Sequence, residues 1–401
     1  MKILMINMFP LTGSGSGVYA VNMANALVRK GHEVCCIFPD NIPSNSADYQ
    51  FKTHPIYFAQ DDGTKPEVEE TVLPFNFPCF STHPRSTFNF TKITDQQIKD
   101  YKQAFREAIS DEIAKFKPDV IHSGHIWSPS AVATEFNLPL IITCHGTDIF
   151  GYDDEYGDRY RADAHKAVDV AKAIVCISQQ NIDEMLRCFP DAKDKAILMP
   201  NGYDAQTFYP EIHERAEILA DYGIDKSYQY LVSFAGKFAH FKGIDILLKA
   251  AKQYSDGSVA TVVAGDGTLF DEMTALKNEL QLDDVYFVHN QPHDKLRRLY
   301  SAADVSLVPS RGEAFGLVVI EAGACGAPVI GTNDGGITGI LTPETGILID
   351  PEDPDTLARE VKAVLSGKKK FDRTHIAKYT KDTFSQDSLI DKTVELYQKV
   401  C

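Results

Sequence analysis

The sequence predicts an α/β protein made of two doubly wound parallel-sheet domains. Two observations carry this. Short apolar runs alternate with amphipathic ones from the first residue, as in "KILMINMF", "GVYAVNMANALVRKG" and "HEVCCIFPD", and runs that are apolar throughout suit strands buried on both faces. The rhythm then stops at "MPNGYDAQTFYP" and begins again with "YLVSFAGK". A length of 401 residues with 44% hydrophobic composition allows two cores.

The first domain is assigned to residues 1–205, with further strands in "DVIHSG", "LPLIITCHG", "AIVCIS" and "AILMPNG" and a long helix in "DQQIKDYKQAFREAISDEIAKF". The segment from Ala59 to Thr91 breaks the pattern, being rich in Pro and Phe without a period. It reads equally as a surface excursion packed by its own aromatics or as an acceptor-binding lobe. The second domain, 206–380, repeats the rhythm through "VATVVAG", "VYFVHN", "VSLVPS", "PVIGTN" and "GILIDP". Residues 381–401 read as one amphipathic helix that packs back toward the first domain. Ligands of open α/β sheets bind at the carboxyl ends of the strands, so a cleft between facing domains is the expected place for chemistry.

A net charge of −16 opposes a general grip on nucleic acid or an anionic membrane. The eight cysteines form no CxxC pair and suit reduced core thiols. No apolar run is long enough to span a bilayer, and the first strand ends too early for a secretory signal. The expectation is a cytoplasmic protein with at most peripheral membrane association; the sequence sets no oligomeric state.

Four constellations carry candidate chemistry. The first loop, "FPLTGSGSGVYA", places Gly13, Gly15 and Gly17 before a helix whose amides could face an anion; it reads equally as a tight turn. Val18 stands where a dinucleotide fingerprint needs its third glycine, although Asp40 sits where such a fold would hold a ribose. In "AGKFAHFKG", Lys237 and Lys242 flank a loop from Gly236 that enters a helix at Gly243, a plausible diphosphate clamp or two solvated lysines. His145 and Gly146 end a buried strand, which favours a site role for the imidazole over a structural one. His122 and His125 in "HSGH" have no recognisable ligand partners, so no metal is expected.

The fourth is "PSRGEAFGLVVIEAGACGAPVI". A helix entered near Phe315 or Gly316 leaves the amides of Phe315, Gly316, Leu317 and Val318 free for an anion or hydroxyls. Glu321 then shares a helix face with Leu317, Ala324 and Cys325 and interrupts an apolar stripe. A carboxylate in such a place needs hydrogen-bond donors. Glu313 at the helix entrance and Glu321 two turns on could each accept from a vicinal diol, one of a hexose and one of a ribose. The plainer alternative is a first-turn dipole partner and a tilted surface residue.

Taken in order, the first glycine loop, "HG" at His145, "MPNGYDAQTFYP", "GK....KG" at Gly236–Gly243, "AGDG" ending at Gly267, the pair Glu313 and Glu321 in E-x7-E spacing, and "TGILIDPEDPDTLA" resemble the retaining glycosyltransferases of family 4, which have the GT-B fold. The resemblance spans nearly the whole chain. It implies that Glu313 contacts donor-sugar hydroxyls, that Glu321 holds the nucleotide ribose, that Lys237 and Lys242 neutralise the leaving diphosphate, and that His145 lies beside the donor sugar. It extends the donor-binding set to Gly15, Gly17, Gly236, Gly267, Asn290, Phe315, Gly316, Leu317 and Val318. Two departures stand out. Lys237 replaces the usual Arg, a point charge for a fork, and Thr338 and Gly339 replace the Pro-Glu that many relatives carry after paired glycines.

The implied reaction moves a hexosyl group, with retention and without a metal or other cofactor, from a nucleotide sugar to a sugar, lipid-linked or small-molecule acceptor. "HGTDI" is similar to bacterial members that use UDP-sugars, so UDP-glucose or UDP-N-acetylglucosamine leads and GDP-mannose follows. Cell-envelope polysaccharide or glycoconjugate synthesis is the implied setting. The rivals are an epimerase or phosphorylase of the same fold, a nicotinamide dehydrogenase and a non-catalytic sugar-nucleotide-binding protein.

Overall fold

A computed structural model describes residues 1–80 and 83–401; Ser81 and Thr82, within the aromatic segment, lie outside the described residues. The chain forms two compact units, Met1–Gly202 with Leu389–Cys401, and Tyr203–Ser388.

The first unit is built on strands β1 (Lys2–Ile6), β2 (Glu33–Asp40), β3 (Lys52–Phe58), β4 (Val72–Leu73), β5 (Val120–Gly124), β6 (Leu140–Cys144), β7 (Ala173–Cys176) and β8 (Ala196–Leu198). Every pairing is parallel, in the order β4-β3-β2-β1-β5-β6-β7-β8. Alternate residues of one strand enter different cores. Leu4 and Ile6 of β1 join Cys35, Ile37, Ile121 and Ile142 on one face, while Ile3 and Met5 join Val34, Cys36, Val120 and Ile141 on the other. Both faces are dry, which is why the strands read as unbroken apolar runs.

The second unit has β9 (Tyr230–Ala235), β10 (Val259–Ala264), β11 (Val285–Val288), β12 (Val305–Val308), β13 (Val329–Thr332) and β14 (Gly346–Ile349). These are again all parallel, in the order β11-β10-β9-β12-β13-β14. Val232, Phe234, Val263 and Leu307 fill one face, and Leu231, Ala260 and Val262 the other. Strand order reverses between β1 and β5 in the first sheet and between β9 and β12 in the second. At such a switch point the adjacent loops diverge and leave a crevice beyond the strands' carboxyl ends.

Two elements differ from the sequence expectation. Residues 381–401 are not one helix: Arg373–Phe384 and Gln386–Val400 are separated by Ser385. Ser385 is extended and pairs with Tyr203, whose amide donates to Phe384 O at 3.1 Å and whose carbonyl accepts from Gln386 N at 2.9 Å. Backbone pairing to a distant residue outweighs local helix propensity there. Beyond the break, Ile390, Leu396 and Tyr397 join the second core of the first unit, and Thr393 lies against Met199.

The aromatic segment, where described, is part of the core rather than a loose excursion. Phe75, Phe77, Cys79 and Phe90 are buried in the first core. Phe80 and Phe90 lie against Trp127 with ring centroids 5.0 and 5.5 Å away, and Phe90 meets Tyr160 edge-on at 5.1 Å. Among the described residues no disulfide forms, and of the eight cysteines all but Cys401 are buried. Among the described residues no helix is long and apolar enough to cross a membrane.

Candidate functional site

In the second unit, the loops after β9 and β12 flank the switch point and carry the charged residues. After β9 the chain passes Gly236 and Lys237, makes a 3₁₀ turn at His240–Lys242 and enters the helix Ile244–Tyr254 through Gly243 in the left-handed region (φ 67°). A Cβ on Gly243 would stand 2.0 Å from Pro309 O, so the two switch-point loops touch only because this residue has no side chain.

After β12, Glu313 is held from several directions. Its carboxylate accepts from Lys242 Nζ at 2.5 Å and from Ser310 Oγ at 3.3 Å. Both side chains of the ion pair are largely enclosed, at 14% and 15% exposure, so the pair is strong enough to fix both groups. The Glu313 carbonyl accepts from Gly336 N at 2.6 Å. Gly335 packs so closely that a Cβ would lie 2.2 Å from that same carbonyl oxygen. Arg311 anchors the loop through Asp245 and Glu352, and Thr332 Oγ1 donates to Ser310 O at 2.7 Å.

Gly316, at φ 104°, opens the helix Leu317–Ala324. Leu317 and Val318 are its first two residues, whose amides have no acceptor inside the helix. Phe315 is buried and Glu321 half-buried. Among the described residues no hydrogen bond or salt bridge reaches the Glu321 carboxylate. Burial pushes its pKa up from 4.5 to about 7, with Lys242 pulling the other way. Close by, the hydroxyl of buried Tyr300 also lacks a partner among the described residues. The structure therefore holds Glu313 in a finished ion pair and leaves Glu321 without donors.

Lys237 is half-buried on the β9 loop. Gly267 packs on Phe238, whose carbonyl oxygen would lie 2.4 Å from an added Cβ. Asn290 is exposed, its amide donating to Asp266 at 2.8 Å. Thr338, at the departure from the Pro-Glu pattern, donates to Gly335 O at 2.9 Å and closes the turn that packs on Glu313.

In the first unit, Gly15 starts the helix Gly15–Arg29, capped by Ser14, whose Oγ accepts from Gly17 N at 3.1 Å. The Gly17 amide is thus already used, and a Cβ there would lie 2.4 Å from Pro10 O, so this glycine serves close packing. Asp40 does not await a ribose. It accepts from Asn41 N, from Ile42 N and from the Arg85 guanidinium at 2.5 Å, and Arg85 also reaches Thr12 in the glycine loop.

His145 is buried, with its pKa well below the usual value because burial disfavours the cation. Tyr19 meets its ring edge-on at 5.1 Å and His125 lies 4.6 Å away. His122 is fully engaged, with Nδ1 at 2.6 Å from Tyr397 OH and Nε2 at 2.7 Å from Thr143 Oγ1. Burial pushes its pKa down to about 4. With both nitrogens occupied, His122 cannot join His125 on a metal. A different group, His54, Asp111 and Glu112, has metal-ligand spacing, but Lys52 at 2.5 Å and His54 at 2.7 Å already satisfy the Glu112 carboxylate.

Sequence reasoning had not foreseen Ser310, Arg311, Ser14, Arg85 or the unpaired Tyr300 hydroxyl. The Ser14 cap alone had a local signal, a serine just before the helix start. The others depend on contacts between residues far apart in the chain.

Comparison with known proteins identifies the fold and the family. Residues 13–207 match the family model described as Glycosyltransferase Family 4, and residues 214–383 match that described as Glycosyl transferases group 1. D-inositol 3-phosphate glycosyltransferase of Pseudarthrobacter chlorophenolicus is 27% identical over 378 residues, 87% of this chain and 82% of that one. Among solved structures, sucrose-phosphate synthase from Thermosynechococcus elongatus superposes with a TM-score of 0.73 at 23% identity, covering 100% of this chain and 98% of that one. Anabaena HepE, in complex with UDP and glucose, gives a TM-score of 0.73 at 16% identity, with 99% of each chain covered. At these identities the structural likenesses speak to fold, and the fold is GT-B. The two family models together take in both units, and the chain belongs to the family 4 glycosyltransferases.

Proposed function

We propose that this glycosyltransferase moves a hexosyl group from a UDP-sugar, UDP-glucose or UDP-N-acetylglucosamine, to an acceptor hydroxyl with retention at the anomeric carbon and without a metal ion. The observation that carries the reading is the unpaired Glu321 carboxylate, about one turn into the helix whose entrance Glu313 and Lys242 flank. Even a half-buried carboxylate without donors is costly, and a ribose diol supplies two hydroxyl donors at once. The family resemblance assigns Glu321 this role, and a neighbouring fold in complex with UDP supports the choice of nucleotide.

In this reading the diphosphate lies at the amides of Leu317 and Val318, with Lys242 and Lys237 beside it. As the bond between C1 and the diphosphate oxygen breaks, charge grows on that oxygen, and fixed positive groups are worth a few kcal/mol each. The acceptor oxygen bonds to C1 on the same face, and its proton passes to the departing diphosphate. Glu313 accepts from sugar hydroxyls while Lys242, its partner at 2.5 Å, holds the carboxylate in place. His145, neutral, donates a hydrogen bond to the donor sugar. A cytoplasmic enzyme acting on a cell-envelope acceptor is the leading setting. A small phosphorylated polyol is a second reading, supported by the name of the inositol phosphate relative.

The test is proton NMR of the sugar released from UDP-glucose or UDP-N-acetylglucosamine, with and without EDTA. The account predicts an α-anomer as first product and an unchanged rate in EDTA. A β-anomer, or loss of turnover that Mg²⁺ restores, contradicts it.

A further inference from the structure

His125 bears two costs at once. Of the four non-glycine residues with positive φ among the described residues, Lys117, His125, Gln281 and Glu352, it alone is buried. A left-handed backbone at such a residue costs energy that the surroundings must repay. They do so by clamping it: His125 N donates to Thr143 O at 2.7 Å, and its carbonyl accepts from Ser130 Oγ at 2.5 Å and Trp127 N at 3.0 Å. The second cost is an Nδ1 that is buried without a hydrogen-bond partner among the described residues. Phe9 lies edge-on at 5.2 Å and Phe80 at 5.7 Å, an environment that would suit a phenyl ring without stranding a nitrogen.

The ring beside it explains the choice. The His145 ring lies 4.6 Å away, centroid to centroid, tilted by 41°. Neither His145 nitrogen is hydrogen-bonded among the described residues, so packing, including that on Tyr19 and His125, orients its plane. Two neutral imidazoles can share one N–H···N hydrogen bond, one as donor and one as acceptor.

Resting on the reading of His145 given above, we infer that His125 is a positioning residue. When substrate occupies the site, His145 turns to donate to His125 Nδ1, or to accept from it, which fixes the plane and tautomer of the ring that meets the sugar.

The experiment follows UDP release from UDP-glucose and UDP-N-acetylglucosamine by wild type, His145→Ala, His125→Phe and His125→Gly, with thermal melting to verify folding. His125→Phe keeps the ring among Phe9 and Phe80 and removes the nitrogen. His125→Gly suits the left-handed backbone, also removes the nitrogen and supplies the same reading if the Phe variant does not fold. The expected result is a loss of about tenfold or more in kcat with KM for the UDP-sugar within about twofold, because the group acts on the reacting end of the donor. A folded His125→Phe at the wild-type rate, beside an impaired His145→Ala, overturns this inference and leaves the reading of His145 intact. A fully active His145→Ala overturns that reading and this inference with it.

Discussion

Replacing Glu321 by Gln should stabilise the second unit and remove nucleotide binding, and the stabilisation should depend on pH. The Glu321 carboxyl titrates near 7 in the folded chain against 4.5 when free, because burial disfavours its charge. A shift of that size corresponds to about 3 kcal/mol. Water reaching a half-buried group reduces this to about 1–2 kcal/mol. The sign follows from proton counts. Between the two pKa values the folded state holds the proton and the unfolded state does not, so stability conferred by the neutral form is complete below 4.5 and is lost as pH rises through about 7. Glutamine has the shape of the neutral form at every pH. Calorimetry at pH 5 and pH 8 is therefore the assay. The variant should match wild type at pH 5 and melt about 2–6 °C higher at pH 8. An equal difference at both values, or a less stable variant at pH 8, would refute the argument that the carboxylate is held there against its own desolvation.

Three further outcomes follow from the same geometry. Lys242→Met should lower turnover about a hundredfold or more and should move the pH needed for nucleotide binding upward, since Lys242 is the group that lowers the Glu321 pKa; binding titrations across pH check both. Gly335→Ala forces a Cβ to 2.2 Å from Glu313 O at a φ of 67°, so it should cost about 2 kcal/mol or more and weaken UDP-sugar turnover, read from urea melts and initial rates. Arg85→Ala leaves Asp40, 8% exposed, with only backbone donors, and should cost about 3 kcal/mol with little response to added salt, measured by denaturant melts in low and high NaCl.

Much of this architecture was legible because it repeats locally. Strands such as "VATVVAG" are apolar on both faces wherever they sit in a sheet, and Gly316 before an apolar run marks a helix start without knowledge of the fold. Glu321 was conspicuous because a carboxylate interrupted that run. What was hidden lies at long sequence separation. Nothing in "AGKFAHFKG" says that Lys242 finds Glu313, 71 residues on, or in "DGGITGI" that its first glycine is pressed against the Glu313 backbone. Asp40 looked available for a ribose because its partner, Arg85, lies in a segment with no period of its own. The rings of that segment pack on Trp127 and Tyr160, contacts that only the folded chain supplies. The left-handed backbone of His125 was equally hidden, since its four-residue stretch offers a glycine at 124 for any unusual turn.

The central claim is that Glu321 holds the ribose of a nucleoside diphosphate. A thermal-shift panel with UDP, GDP, ADP and NAD on wild type and Glu321→Ala tests it most directly, because a ligand that binds only the native state raises its melting temperature by mass action. The account predicts a rise with UDP that disappears in Glu321→Ala. A rise with NAD alone, or an equal rise with UDP in both proteins, would contradict it.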